Sequence, residues 1–383
     1  MIGIAIIGTG DIAGYHIEAY RSLGVRCDIK AVVDILPEKA RQKAEKYKLD
    51  CSAVADYHDL LHRPDIQLVS ICLPPAMHCE VAVDFLLAGK HVLCEKPMAP
   101  TLEECDRMLA AQQKGKAKLS VVAQNRFKPD IMRTKLLLET GALGQLLFAQ
   151  ASSLWWRGSK YYDLWWRGTW EKEGGGCTFI HAVHHIDLLL WLMGEAREVS
   201  AMVTNRNHDN SEVEDLSVTT IRFKNGSIGT LVASLLHHGE EQRFIIDGVN
   251  GSIEIPHKIS VSRQLENGYP EADETKRLEL EALFAKLPAP EREAHEGQIE
   301  DMVRAIENDR EPLISGVDGR RTIEFISAVY QSAFTGMPVS LPMTDKDVFY
   351  TKAGIMTKAT RFHQKTGSVA SYADSGISVG GTL

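Results

Sequence analysis

Gly8-Thr9-Gly10-Asp11-Ile12-Ala13 closes an apolar run, Ile2–Gly8, and opens a stretch of helical spacing, Asp11–Leu23. This GxGxxA pattern narrows the fold more than any other feature of the chain. The first glycine allows a tight turn, and the second lets the backbone approach a pyrophosphate. The small Ala13 lets helix pack on strand, and the helix N-terminus faces phosphate charge. A second apolar run, Ile29–Val33, ends at Asp34. Asp34 lies 24 residues past Gly10, near the ~20 expected for the carboxylate that binds a ribose 2′-hydroxyl. It would repel a 2′-phosphate, so NAD is favoured over NADP. The cofactor residues read from this pattern are Gly8, Thr9, Gly10, Asp11, Ile12 and Asp34. A glycine turn that binds nothing is the plainer alternative; the strand–turn–helix context argues against it.

The alternation continues. Pro37–Tyr47 reads as helix, Gln67–Leu73 as strand, Met77–Ala88 as a helix closed by Gly89, and His91–Cys94 as strand. Thr101–Gln113 is a helix with Thr101 and Glu104 spaced as a capping box, and Leu119–Ala123 is a further strand. Strands alternating with helices pair in parallel through right-handed crossovers. The pattern changes near residue 123. Ile131–Glu139 reads as helix, Gln145–Trp156 as strand, and an apolar helix runs to Met193. From Val199 to Ile255 strands succeed one another, punctuated by Asn225-Gly226, Asp247-Gly248 and Asn250-Gly251, which signals antiparallel pairing. Ala289–Asn308 and Asp318–Phe334 are late helices. The expected architecture is an α/β Rossmann domain over residues 1–123, a doubly wound parallel sheet. An α+β domain with a large, mostly antiparallel sheet follows over 124–383.

The length of 383 residues suits two such domains. A net charge of −8 argues against a general nucleic-acid surface. No 18-residue apolar span marks a membrane helix. Seven scattered Cys without a CxxC pair, and no signal-peptide pattern, point to a reduced, cytoplasmic protein. The segment after Lys365 is rich in Gly, Ser and Thr; a mobile tail and an arm over a partner subunit both remain open.

Cys94-Glu95-Lys96-Pro97 follows the fifth expected strand, and Leu73-Pro74-Pro75-Ala76-Met77-His78 the preceding one. With the GxGxxA turn they resemble the glucose–fructose oxidoreductase / inositol dehydrogenase / rhizopine-catabolism (Gfo/Idh/MocA) family. The resemblance implies that Lys96 lies near the nicotinamide and the substrate hydroxyl. It also implies a cis Lys96–Pro97 bond, and cofactor contacts from Leu73, Pro74, His78, Glu95 and Lys96. Gly174-Gly175-Gly176 through Asp187 resembles the family's second motif, which places an acid/base His at His184 and a later Asp at Asp187. The motif's Asp or Asn position falls on Ile180, a departure, because Ile180 has no polar side chain for substrate; the neighbouring His181 is one substitute. Oxidising a secondary alcohol needs a proton acceptor near neutral pKa and a cation beside the developing alkoxide. His184 fits the first role and Lys96 the second. From pattern alone His184 could equally be a satisfied helix histidine. His181 and His185, at i and i+4, raise a metal site, but no third ligand sits at a telling spacing, so no metal is expected.

Five of the six Trp fall within 16 residues: Trp155, Trp156, Trp165, Trp166 and Trp170. Arg157, Tyr161, Tyr162 and Arg167 are interleaved. A packed corner is the bland reading. Flat apolar rings beside Arg and Tyr also suit a sugar, and the segment leads into the glycines before His184. The candidate substrate residues are Lys96, Arg126, Arg157, Tyr161, Tyr162, Arg167, Trp170, His181 and His184. The expected activity is NAD-dependent oxidation or reduction at a secondary hydroxyl or ketone of a sugar, glycoside, sugar derivative or cyclitol. The resemblance implies a homodimer or homotetramer. An NAD-dependent glycoside hydrolase and a non-catalytic NAD-binding regulator are the alternatives.

Overall fold

In the computed structural model, residues 1–369 are described; the remainder of the Gly/Ser/Thr-rich tail lies outside them. The first unit runs β1 (Ile2–Ile7), α1 (Ile12–Ser22), β2 (Cys27–Val33), α2 (Pro37–Lys46), β3 (Ser52–Val54), β4 (Leu68–Ile71), α3 (His78–Leu87), β5 (His91–Cys94), α4 (Leu102–Gly115) and β6 (Leu119–Val121). The strands form a six-stranded parallel sheet in the order β3-β2-β1-β4-β5-β6. β1 and β4 are buried along their whole length, as strands covered by helices on both faces must be. β3 has no counterpart among the expected strands. Three half-buried residues at a sheet edge leave too short an apolar signal. Thr101 caps α4 by accepting the Glu104 amide, but its hydroxyl donates to the Glu104 carboxylate, so only half of the reciprocal box forms.

The second unit contains α5 (Pro129–Glu139), β7 (Leu146–Trp156), α6 (Cys177–Ile180), α7 (Val183–Met193), β8 (Ala196–Thr204), β9 (Leu216–Phe223), β10 (Ile228–Ser234), β11 (Leu236–Gly248), β12 (Gly251–Ile255) and β13 (Lys258–Ser260). A small hairpin, β14 (Ser262–Gln264) and β15 (Pro270–Ala272), leads to α8 (Glu274–Lys286), which the sequence reading also missed. Only Leu280 and Phe284 of α8 are buried, too thin an apolar stripe to stand out. Then come α9 (Ala294–Glu307), α10 (Gly316–Thr335), β16 (Val339–Ser340) and α11 (Lys352–Lys358). The sheet order is β13-β12-β11-β7-β10-β9-β8-β16. Its pairs are antiparallel except β7 with β10, which run parallel. The Asn225-Gly226 and Asn250-Gly251 turns join β9 to β10 and β11 to β12, as expected.

Two features position the site. Helix α9 returns to the first unit and packs on α1, where Ile299, Met302 and Val303 share a core with Ile4 and Ile17. The apolar segment before Met193 is not one helix: α6 ends at Ile180, and His181 and Ala182 form a break before α7. His181 and His185 therefore do not share a continuous helix face.

Candidate active site

The glycine turn sits at the C-terminal end of β1. Gly8 has φ +99°, and a Cβ there would lie 2.5 Å from the Cys72 carbonyl oxygen, so only glycine closes this turn. A Cβ on Gly10 would meet nothing within 4 Å. That leaves open space in front of α1, the room a pyrophosphate requires. Asp34 directly follows β2, with its carboxylate oriented by the Thr9 hydroxyl and by the Leu36 amide at 3.0 Å. The residues present fit a bound NAD: the Gly8–Ile12 turn for the diphosphate and Asp34 for a ribose. Leu73 and Pro74 follow β4, beside this edge. His78 is buried, with Nδ1 2.9 Å from the Pro97 carbonyl and Nε2 2.8 Å from the Leu73 carbonyl. Both ring nitrogens are thus engaged, and His78 ties the Leu73–Pro74 loop to the Lys96–Pro97 loop.

β5 delivers Glu95 and Lys96 to the same edge, and the Lys96–Pro97 bond is cis. Glu95 Oε1 accepts from His16 Nε2 at 2.9 Å, while Oε2 accepts the Lys96 amide at 3.2 Å. His295, at the start of α9, brings its Nε2 within 3.9 Å of Glu95. Burial alone would raise Glu95, but the His16 hydrogen bond and charge outweigh it and hold the carboxyl at about 2. Among the described residues, His16, Glu95 and His295 are the group spaced to hold a metal ion; His181 and His185 do not form one. Here the pairing gives Glu95 a fixed position, and through it Lys96.

Lys96 Nζ donates to the Ile180 carbonyl at 3.4 Å. The position that lacks a polar side chain still supplies an acceptor, through its backbone. His184 lies one turn on, and Lys96 and His184 line one small cavity with Val122, Ala123 and Thr322. Burial, then the Lys96 charge, holds the His184 imidazole well below its ordinary value; burial lowers Lys96 also, with Glu95 opposing. His181 is lowered likewise, by burial and by Arg157, Arg167 and Lys96. His185 turns away, stacked 5.6 Å from Phe244 with neither ring nitrogen partnered, and burial pulls it to about 3.

The aromatic segment divides. Trp155 and Tyr161 flank His181 at ring distances of 5.9 and 5.6 Å. Arg157 lies over Trp155 and Tyr161, and Arg167 over Tyr161 and Trp166. These residues gather around His181, next to Lys96. Trp156 and Trp165 face outward. Trp170 and Tyr162, read from sequence as substrate contacts, are instead buried anchors. The Trp170 indole donates to the Thr360 carbonyl at 3.1 Å and meets Tyr330 edge-on. Tyr162 packs edge-on against His208. Arg126 is not brought to the pocket either: it is 3% exposed. Its Nε and Nη2 grip Asp187 at 2.8 and 2.6 Å, with Asp318 beside them. The start of the Gly/Ser/Thr-rich tail folds back on this segment, where Val369 pairs with Leu164.

Three supporting acids lie outside the expected site residues. Glu173 accepts the Gly168 amide at 2.5 Å and Arg167 Nη1 at 3.2 Å. Glu214 accepts the amides of Gly176 at 3.1 Å and Thr178 at 3.0 Å and the Tyr330 hydroxyl at 3.0 Å, fixing the glycine turn before α6. Asp215 orients His208, whose Nε2 meets the Arg157 carbonyl at 2.9 Å. The cluster Glu212-Val213-Glu214-Asp215, acidic yet heading a strand, was the available signal.

Two family profiles match this chain: residues 2–123 as the NAD-binding Rossmann fold of the Gfo/Idh/MocA oxidoreductases, and residues 135–341 as their C-terminal alpha/beta domain. The chain belongs to the Gfo/Idh/MocA oxidoreductase family. A Lactiplantibacillus plantarum inositol 2-dehydrogenase/D-chiro-inositol 3-dehydrogenase is 24% identical over 357 residues, covering 91% of this chain and 96% of that one. A Pseudarthrobacter phenanthrenivorans levoglucosan dehydrogenase is 30% identical over 288 residues, 66% of this chain and 73% of its own. Among solved structures, the Bordetella pertussis WlbA dehydrogenase, in complex with NADH and UDP-GlcNAcA, superposes with a TM-score of 0.76 at 27% identity. It covers 90% of this chain and 99% of its own. As a Gfo/Idh/MocA member the chain is an oxidoreductase with an NAD-binding Rossmann domain. Among the described residues no helix is long and apolar enough to cross a membrane.

Proposed function

We propose that this protein is an NAD-dependent dehydrogenase, or the corresponding reductase, acting on a secondary hydroxyl of a sugar, sugar derivative or cyclitol. The carrying observation is the junction at which Lys96 bonds the Ile180 carbonyl and lines one cavity with His184. The named relatives, acting on inositol and levoglucosan, support this substrate class. When bound, NAD supplies the hydride acceptor. His184, neutral in its buried position, takes the hydroxyl proton. The Lys96 ammonium stabilises the alkoxide that forms and favours the neutral imidazole beside it. Glu95, gripped by His16, fixes the lysine backbone, and cis-Pro97 follows directly. A screen of sugars, glycosides and inositols with NAD, read at 340 nm, tests the reading; no turnover across the panel would refute it.

The pH profile follows from the direction of the His184 shift. An imidazole held below 6.5 in the folded protein stays an active base until the pH drops through that lower value. The kcat/KM for alcohol oxidation should therefore remain level through pH 6.5 and fall only in more acid solution. An acid limb centred at or above pH 6.5 would remove His184 from the base role.

The cofactor preference rests on Asp34. With the Thr9 hydroxyl and the Leu36 amide orienting it, the carboxylate suits a 2′-hydroxyl and repels a 2′-phosphate. Asp34→Ala is expected to narrow the NAD over NADP preference; an unchanged ratio of kcat/KM for the two cofactors would count against it. The eight-stranded sheet leaves Met202, Val218 and Ile228 exposed on one face, beside the Arg222–Glu198 pair, and these exposed apolar side chains support a homodimer or homotetramer.

A further inference from the structure

We infer that this pocket takes a sugar bearing a carboxylate, held on the Nε–Nη2 edge of Arg167; the inference rests on the dehydrogenase reading above and narrows its substrate class. Arg167 is enclosed, with its Cζ 4.1 Å from the Tyr161 ring centre and 4.3 Å from that of Trp166, so aromatic surface covers its faces. Nη1 is already committed, to the Tyr161 hydroxyl and to Glu173. Nε is buried and has no partner, and Nη2 donates to nothing among the described residues. A guanidinium with one edge unpartnered presents two parallel N–H groups, the fork that matches a planar carboxylate. A buried donor left unmatched is costly, so a binding partner is called for.

The charge around this edge agrees. Arg157, Arg167 and Lys96 all act on His181, which stands between Trp155 and Tyr161. The carboxylates nearby are weak or diverted counter-charges. Glu173 is 1% exposed, and burial pushes it up to about 7, only partly offset by Arg167. Glu240 pairs with Arg157 Nη1. Where relatives place Asp or Asn, Ile180 adds no negative charge. A neutral sugar would leave the Nε–Nη2 edge unmatched. Glu173 acts as a positioning residue: it occupies Nη1 and the Gly168 amide, and so leaves the Nε–Nη2 edge as the unmatched one.

The test compares matched twins: methyl β-D-glucuronide with methyl β-D-glucoside, and D-galacturonate with D-galactose. Each is assayed for NAD reduction and for calorimetric binding to the NADH-loaded protein. D-glucose 6-phosphate serves as the alternative anion. The acid of at least one pair should exceed its neutral twin by about tenfold or more in kcat/KM and in affinity, the range of a charge-assisted hydrogen bond. Arg167→Lys, which keeps the charge and loses the fork, should collapse that ratio toward one; the wild-type comparison decides even if this variant misfolds. Acid preference in binding without any turnover supports the subsite and overturns the dehydrogenase reading. Turnover of neutral twins as good as that of the acids overturns the carboxylate assignment and leaves the dehydrogenase reading standing. Stronger binding of the sugar phosphate than of the glucuronide, or binding of neither twin of either pair, also overturns it.

Discussion

Lys96→Met is expected to cut turnover by about 10²–10³-fold, the usual cost of removing one preorganised charge from a developing oxyanion. NAD should still bind, because the Gly8–Ile12 turn and Asp34, which follow β1 and β2, are left intact by the substitution. Methionine matches the length and apolar stem of lysine, so the cavity it shares with His184 stays filled. The missing ammonium has a second effect: without it His184 becomes easier to protonate, and the acid limb of kcat/KM should move to higher pH. His184→Ala should cost about 10²–10⁴-fold, the range for losing a general base. The two losses should not add fully, since both groups act on one proton and one oxygen. Single-turnover rates, with NAD binding measured separately by fluorescence, check both variants. Near-normal turnover in either would remove that residue from the chemistry.

The parts of this site legible in the sequence are those where backbone geometry demands a residue type. Gly8 sits in a turn that needs it, Gly10 leaves the room a pyrophosphate requires, Asp34 follows a strand, and Lys96 precedes a proline at a strand end. The same holds for the Rossmann strands, whose apolar runs are continuous because both faces are covered. Long-range partners were not legible. Arg126 looked like a pocket residue because nothing local shows that Asp187 and Asp318, 61 and 192 positions away, close around it. Trp170 and Tyr162 share the composition of the pocket wall, but their partners come from α10 and from the segments around His208 and Thr360. Glu173 is one of two acids, with Glu171, before three glycines, and its meaning appears only when Gly168 and Arg167 fold onto it. The break at His181–Ala182 was hidden because the sequence there is as apolar as the helix on either side.

The two glycine motifs should respond oppositely to alanine. At Gly176 a Cβ would lie 1.9 Å from the Glu214 carbonyl oxygen and 2.8 Å from its Oε2. Neither atom has room to retreat. The carbonyl accepts the Cys177 amide, and the carboxylate is held by the Gly176 and Thr178 amides and the Tyr330 hydroxyl. Moving Glu214 would leave a buried carboxylate short of its donors, a penalty of a few kcal/mol beyond the ~1–3 kcal/mol of ordinary overpacking. Gly176→Ala should therefore lower stability by roughly 4 kcal/mol or more, seen as a melting point about 10 °C lower or as failure to fold. At Gly10 a Cβ meets nothing within 4 Å, so Gly10→Ala should melt within a few degrees of the wild type. It should nevertheless bind NAD more weakly, because the methyl enters the space a pyrophosphate needs. Thermal melts and NAD titrations on both variants separate the two roles. A Gly176→Ala protein as stable as wild type would show that Glu214 does not clamp this turn, and unchanged NAD affinity in Gly10→Ala would show that the diphosphate does not lie over it.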